Sequence, residues 1–78
     1  MNVAVFSKPD CPYCDKVKKI FKLTNINCAV YNLDEHFNRD AFVSEFGKGA
    51  TFPQVVVDGR KIGGCNDTVK YLKEKNIV

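Results

Sequence analysis

Two cysteines, Cys11 and Cys14, stand three positions apart where a short apolar run gives way to a helical pattern. Thiols at this spacing, at the start of a helix, can face each other and close a small disulfide ring. The unpaired N–H groups and the dipole of a helix N-terminus favour a negative charge at Cys11. Because the thiolate is the attacking species in disulfide exchange, the pair predicts a redox site.

Three neighbours influence this pair. Lys8 adds positive charge close to Cys11, whereas Asp15 adds a negative charge that opposes ionisation of the thiol. Pro12 suits the first turn of a helix, because its missing N–H would have no partner there.

The main alternative for a Cys-x-x-Cys pair is half of a zinc site. Such a site normally needs a second pair of ligands at short spacing. The other two cysteines, Cys28 and Cys65, are far apart in the chain, and His36 is isolated. The sequence therefore favours redox chemistry without a metal. Cys28, on an apolar strand, is predicted to be a core residue.

Length and composition predict one small domain over residues 1–78. No run approaches the roughly 20 apolar residues that a membrane span requires. The early apolar run from Val3 to Phe6 has no basic residue before it, so it does not resemble a secretory signal. We therefore expect a cytoplasmic protein. A disulfide framework among the four cysteines would need export to an oxidising compartment, which nothing in the sequence supports.

Positive charge is concentrated at one end of the chain, whose net charge is +3. A nucleic-acid surface would be expected to alternate basic residues with aromatic ones for base stacking, which this segment does not do. We interpret it as the solvated face of a helix and expect no nucleic-acid partner. The lysines concerned are Lys8, Lys16, Lys18, Lys19 and Lys22.

Hydrophobic patterning predicts seven elements in the order β-α-β-α-β-β-α. The predicted strands are Asn2–Ser7, Cys28–Leu33, Gln54–Val57 and Arg60–Ile62. The predicted helices are Tyr13–Leu23, a segment capped by Asn38 and ended by Gly47, and a segment after Gly63-Gly64. A βα unit followed by a strand gives a parallel pair with a right-handed crossover. Asp58-Gly59 predicts a hairpin between the last two strands, so the sheet is mixed.

Three short motifs follow one another along the chain: Cys11-Pro12-Tyr13-Cys14, Thr51-Phe52-Pro53 and Gly63-Gly64-Cys65-Asn66-Asp67. With these motifs in this order, the sequence resembles a dithiol glutaredoxin, especially the short bacterial type. The resemblance implies an α/β thioredoxin-like fold with a four-stranded mixed sheet in the order 2-1-3-4. It also implies three flanking helices, the first and last on one face and the second on the other.

The same resemblance implies roles for individual residues. Cys11 would be the nucleophile and Cys14 the resolving cysteine. Pro53 would be a cis proline that exposes the backbone N–H and C=O of Phe52, which could pair with glutathione as one strand pairs with another. Asp67 would bind the ammonium of the γ-glutamyl group.

Other residues would complete the glutathione site. The γ-glutamyl carboxylate would meet the N–H groups of Asn66 or Asp67 at the start of the last helix. Lys8 and Tyr13 would meet the glycine end. The remaining motif residues assigned to the site are Thr51, Gly64 and Cys65.

The chain departs from the family pattern at two of these positions. The family more often has valine where this chain has Phe52, which should alter contacts more than mechanism because only the backbone is used. Several residue types occur at the position of Cys65, so its thiol is not expected to be required.

The implied reaction is thiol–disulfide exchange with glutathione as co-substrate and no bound cofactor. Expected substrates are disulfide-containing or glutathionylated proteins, with ribonucleotide reductase suggested by family, and a monomer is expected. One alternative is a redoxin reduced by thioredoxin reductase, but such proteins lack the acid motif represented here by Asn66-Asp67. Another is an iron–sulfur cluster carrier, which typically has one cysteine followed by Gly-Phe-Ser; Pro12 should hinder that coordination.

Overall fold

The computed structural model describes all 78 residues and contains the seven predicted elements in the predicted order. The strands are β1 (Val3–Ser7), β2 (Cys28–Asn32), β3 (Gln54–Val57) and β4 (Arg60–Gly63). The helices are α1 (Pro12–Leu23), α2 (Arg39–Phe46) and α3 (Cys65–Glu74). No helix combines the length and the apolar character needed to cross a membrane.

The four strands form one mixed sheet in the order β2-β1-β3-β4, which confirms the thioredoxin-like topology. Central strand β1 runs parallel to β2 and antiparallel to β3, so Val5 lies between Val30 and Val55. Because Phe6 pairs with Gln54, the C-terminal end of β1 lies beside the N-terminal end of β3. This side of the sheet, where those strand ends lie, is called the active-site edge. The loops that carry the first two motifs therefore converge there.

Helices α1 and α3 cover one face of the sheet and enclose the main core. The alternating burial along β1 and β3 directs every second side chain to this face, as expected of strands. The core consists of Val3, Val5, Val17, Phe21, Val55, Val57, Cys65 and Leu72.

An aromatic cluster lies on the opposite face, beneath α2. Phe42 is buried, and Phe46 lies with its ring centroid 5.1 Å from that of Phe6 on β1. The ring of Phe52 stacks on Phe42 with centroids 4.1 Å apart. Helix α2 is thereby packed against both the sheet and the loop that precedes β3.

Local signals account for the turn between β3 and β4 and for the ends of α2. Asp58 and Gly59 both adopt positive φ angles, of 49° and 81°, as a type I′ hairpin turn requires. Asn38 accepts a hydrogen bond from the N–H of Ala41 at 2.8 Å, which caps the start of α2. Gly47 ends that helix with a φ of 99°.

Helix α3 packs through a residue that its apolar pattern did not indicate. The spacing of Val69 and Leu72 along the helix predicts that both face the core. Leu72 is completely buried, but Val69 is only half-buried, and Thr68 is completely buried as well. The Thr68 hydroxyl donates to the carbonyl of Gly64 at 2.8 Å, so its burial leaves no unpaired polar group.

Candidate active site

Cys11 and Cys14 form a disulfide at the start of α1, with Cα atoms 5.2 Å apart. Cys11 is the N-cap residue, with an extended backbone, and its sulfur accepts a hydrogen bond from the N–H of Cys14 at 3.2 Å. Cys11 retains 6% of its surface exposure, whereas Cys14 has none. An attacking thiol or disulfide therefore reaches Cys11 first, and Cys14 can act only from inside.

Asp15, the negative charge expected to oppose ionisation of Cys11, is paired with a lysine and exposed to solvent. The Asp15 carboxylate lies 3.6 Å from the ammonium of Lys18, and its side chain is 78% exposed. Solvent and the neighbouring cation both screen the carboxylate. The N–H bond to the Cys11 sulfur is thus the closest electrostatic influence that the structure shows at this atom.

The Thr51–Pro53 loop lies at the same edge of the sheet as the disulfide. The Phe52–Pro53 peptide bond is cis, as predicted. Neither the N–H nor the C=O of Phe52 takes part in a backbone hydrogen bond. The side chain of Gln54 donates to the carbonyl of Thr51 at 2.8 Å and closes the loop on itself. The loop thus presents a free donor and a free acceptor from Phe52.

The start of α3 faces this loop across a narrow turn. Gly63 has a φ of 120°, and Asp67 accepts a hydrogen bond from the N–H of Gly64 at 3.2 Å through Oδ2. A Cβ on Gly64 would lie 3.6 Å from the carbonyl oxygen of Pro53, so turn and loop are close neighbours. Asp67 caps α3 through one oxygen and keeps Oδ1 free for a ligand.

An open groove of about 420 Å³ separates the loop from α3. Its size falls within the range typical of small-molecule sites. All the residues that the sequence predicts for the glutathione site, apart from Lys8, line this groove. The lining residues are Tyr13, Thr51, Phe52, Pro53, Gln54, Gly63, Gly64, Cys65, Asn66 and Asp67.

Lys8 is not among the residues that line this groove. Its ammonium sits 5.6 Å from the ring centroid of Phe52, a cation–π contact. Two lining residues, Gln54 and Gly63, were missed by the sequence analysis. The signal for Gly63 was its position before a second glycine at a helix start, whereas nothing in the sequence indicated that Gln54 would fold back onto Thr51.

The two other cysteines occupy different surroundings. Cys65 is buried and belongs to the core, although it also lines the groove. Cys28 is half-buried against the core, close to its predicted role, and pairs with Val3 at the far end of β1. Burial raises the pKa of the Cys28 thiol, an effect that the positive charge of Lys18 partly opposes.

The zinc alternative finds no ligand set in the structure. Nowhere do three or more histidine, cysteine, aspartate or glutamate side chains gather as a metal site would require. His36 instead accepts a hydrogen bond from the N–H of Asn32 at 2.9 Å, within its own turn.

The fold and the disulfide at the first helix define a class: the thiol–disulfide oxidoreductases of thioredoxin fold. The family model for glutaredoxin matches residues 3–62. The chain belongs to the glutaredoxin family, and the resemblance seen in its motifs is confirmed.

Individual relatives agree with this assignment. The chain is 40% identical to glutaredoxin-2, mitochondrial, of Pongo abelii over 97% of its own length and 49% of that protein. It is similar to the buckwheat glutaredoxin–glutathione complex, with a TM-score of 0.80 and 30% identity over 96% of this chain and 71% of that one. Glutaredoxin 1 of Francisella tularensis, complexed with cacodylate, gives a TM-score of 0.79 and 26% identity over 97% and 95%. The chain spans about half the length of the mammalian relatives that it matches.

Proposed function

We propose that this protein reduces protein disulfides and glutathione mixed disulfides with glutathione as the electron donor. The observation that carries the proposal is the groove between Phe52 and Asp67. Its two walls offer complementary groups to a γ-glutamyl peptide: a free backbone donor and acceptor on one side, and a carboxylate at a helix start on the other. The buckwheat relative, whose structure is a complex with glutathione, supports the same ligand.

Glutathione would lie along the groove in one direction. Its cysteine backbone pairs with the N–H and C=O of Phe52, as an added strand pairs with a sheet edge. Its ammonium meets the free oxygen of Asp67, and its γ-glutamyl carboxylate meets the unpaired N–H groups of Asn66 and Asp67 at the start of α3. Lys8 and Tyr13 are then left for the glycine carboxylate.

The reaction begins when the Cys11 thiolate attacks the sulfur bound to glutathione in a protein mixed disulfide. The protein leaves as a thiol after taking a proton, and glutathione stays on Cys11. A second glutathione thiolate then attacks the sulfur of the glutathione bound to Cys11. Oxidised glutathione leaves, and the Cys11 thiolate is restored. When the substrate is a protein disulfide, Cys11 becomes linked to one sulfur of the protein. Cys14 then attacks the Cys11 sulfur, which releases the protein thiol and leaves the Cys11–Cys14 disulfide.

The oxidised Cys11–Cys14 pair then needs two glutathione molecules. The first attacks the Cys11 sulfur, and Cys14 leaves as a thiolate that takes up a proton. The second attacks the glutathione bound to Cys11, which restores the Cys11 thiolate. The proposal also includes a monomer acting in the cytoplasm, a location that rests on the early apolar run's lack of a secretory pattern. Ribonucleotide reductase is proposed among its protein substrates on the sequence resemblance.

An assay that couples glutathione, glutathione reductase and NADPH to a small mixed disulfide tests the proposal. We expect turnover that saturates with the mixed disulfide, and none when thioredoxin reductase replaces the glutathione system. Turnover only with thioredoxin reductase would identify the redoxin alternative. A visible absorbance band in the anaerobically purified protein, without turnover, would identify a cluster carrier.

A further inference from the structure

We propose that the hydroxyl of Ser7 stabilises the reduced state of the redox pair by hydrogen-bonding to the sulfur of Cys14. This makes Ser7 a positioning residue that sets the reduction potential. The inference rests on the thiol–disulfide chemistry of the pair and is independent of glutathione recognition.

Ser7 carries the one buried side-chain oxygen or nitrogen in the structure that has no hydrogen-bond partner. The residue ends β1 and is completely buried. Buried hydroxyl groups are almost always paired, because leaving one unpaired is destabilising. Thr68 shows the usual case, since its equally buried hydroxyl donates to the carbonyl of Gly64. An unpaired hydroxyl at Ser7 therefore calls for a partner that appears in another state.

The topology places Ser7 at the level of Cys14. Alternation along β1 puts Ser7 on the face covered by α1, and the pairing of Phe6 with Gln54 puts it beside Pro53 at the active-site edge. Helix α1 returns along this face from the same edge. Its buried residues, in order from that edge, are Cys14, Val17 and Phe21. Those of β1, from the same edge, are Ser7, Val5 and Val3.

The redox state of the pair changes what the sulfur of Cys14 can offer to Ser7, which has no partner in the disulfide. The sulfur of Cys14 then carries no proton and no charge, and it accepts hydrogen bonds weakly. During reduction, a thiolate attacks the Cys11 sulfur, the S–S bond breaks, and its electron pair leaves on Cys14. The hydroxyl of Ser7 donates to this thiolate as it forms. Once Cys14 takes up a proton, its S–H donates to the oxygen of Ser7.

The hydroxyl thus has a partner only after reduction, so it raises the reduction potential of the pair. The test is to equilibrate the wild type and Ser7→Ala with mixtures of reduced and oxidised dithiothreitol, and to measure the reduced fraction by alkylation and mass. We expect the equilibrium constant for reduction to fall three- to tenfold in Ser7→Ala, equivalent to about 14–30 mV. Thr68→Val is the matched control, because its hydroxyl keeps the same acceptor in both states; its equilibrium constant should stay at the wild-type value.

Melting temperatures give an independent readout. Ser7→Ala should lower the melting temperature of the reduced protein more than that of the oxidised protein, whereas a packing role would lower both equally. A change in the equilibrium constant below threefold, a change of opposite sign, or equal shifts of the two melting temperatures would overturn the proposal. Because these measurements use no glutathione, a negative result here leaves the proposed electron donor untouched.

Discussion

The carboxylate of Asp67 occupies the space that a side chain on Gly63 would need. A Cβ built on Gly63 would lie 2.5 Å from Oδ2 of Asp67, far inside van der Waals contact. The acid that we assign to the glutathione ammonium is therefore held in place by the absence of a side chain four residues earlier.

Gly63→Ala should impair glutathione use through this contact. Alanine would push the Asp67 carboxylate off the Gly64 N–H and away from its proposed contact with the glutathione ammonium. Loss of that charge-assisted hydrogen bond, about 1.5 kcal/mol, should raise KM for a glutathionylated peptide by about tenfold. Gly59→Ala is the control, because Gly59 also has a positive φ but meets no atom within 4 Å. Both variants should lose stability from the unfavourable φ, and only Gly63→Ala should change KM. Equal KM values in the two variants would contradict the model of a steric link.

Asp67→Asn should separate the charge of this residue from its capping role. An amide oxygen can still accept the Gly64 N–H, whereas the attraction for an ammonium is lost. We expect kcat/KM for a glutathionylated substrate to fall by about 10- to 100-fold, the range for a charged hydrogen bond of about 1.5–3 kcal/mol. Asp40→Asn is the matched control, since Asp40 is an exposed acid in the first turn of α2. Unchanged kinetics in Asp67→Asn would favour the redoxin alternative.

Substitution of each active-site cysteine should give different losses. Cys11→Ser should abolish every activity, because no other thiol caps α1. Cys14→Ser should still reduce glutathione mixed disulfides, since external glutathione can resolve the intermediate on Cys11, but it should fail on protein disulfides that need internal attack. The double variant with Cys65→Ser tests whether the buried Cys65 substitutes for Cys14. Equal loss of both activities in Cys14→Ser would exclude the monothiol route.

Alkylation of the reduced protein should follow the surroundings of each thiol. At neutral pH iodoacetamide should modify Cys11 first, because a helix N-terminus and the Cys14 N–H stabilise its thiolate. Burial raises the pKa of Cys28, so its reactive thiolate should form only at higher pH than in an unfolded cysteine peptide. Peptide mass mapping across pH measures both. The assignment is wrong if Cys28 or Cys65 is the first to react.

Phe52→Val should affect stability and leave the reaction intact. The ring stacks on Phe42 and lies under the ammonium of Lys8, whereas glutathione is proposed to use only the backbone. Loss of the stacked pair and of part of the side chain should lower the free energy of unfolding by about 1–2 kcal/mol. Denaturant titration measures this loss. A large fall in kcat/KM with native stability would show that the ring itself contacts substrate.

Features with short-range causes were predicted correctly from the sequence. The turn at Asp58-Gly59 and the cap at Asn38 each depend on residues within a few positions, and the structure has both where they were expected. The groove residues followed from motifs that lie far apart in sequence, and it is the antiparallel pairing of β1 with β3 that brings the first two together. Lys8 was assigned to the glutathione site as well; it does not line the groove, and its ammonium lies over the ring of Phe52.

Features that depend on which polar side chain finds a hydrogen-bond partner were not predicted. The side chain of Gln54 donates to the carbonyl of Thr51 at the surface, and the hydroxyl of Thr68 is buried against the carbonyl of Gly64. Hydrophobic periodicity contains no information about such residues, because it separates apolar positions from polar ones and cannot show which polar group finds a partner. The unpaired hydroxyl of Ser7 escaped for the same reason, since serine at a strand end is ordinarily exposed.

The hydrogen bond from the Cys14 N–H to the Cys11 sulfur has a consequence for the helix as well as for the thiol. In most proteins the atom that caps a helix is chemically inert and keeps the same strength as an acceptor throughout the protein's lifetime. In the proposed reaction the capping atom is also the reacting atom, an anion when Cys11 is reduced and a neutral disulfide sulfur when it is oxidised. We therefore expect the first turn of α1 to be more firmly capped in the reduced protein than in the oxidised one, so that hydrogen exchange of that turn reports the oxidation state.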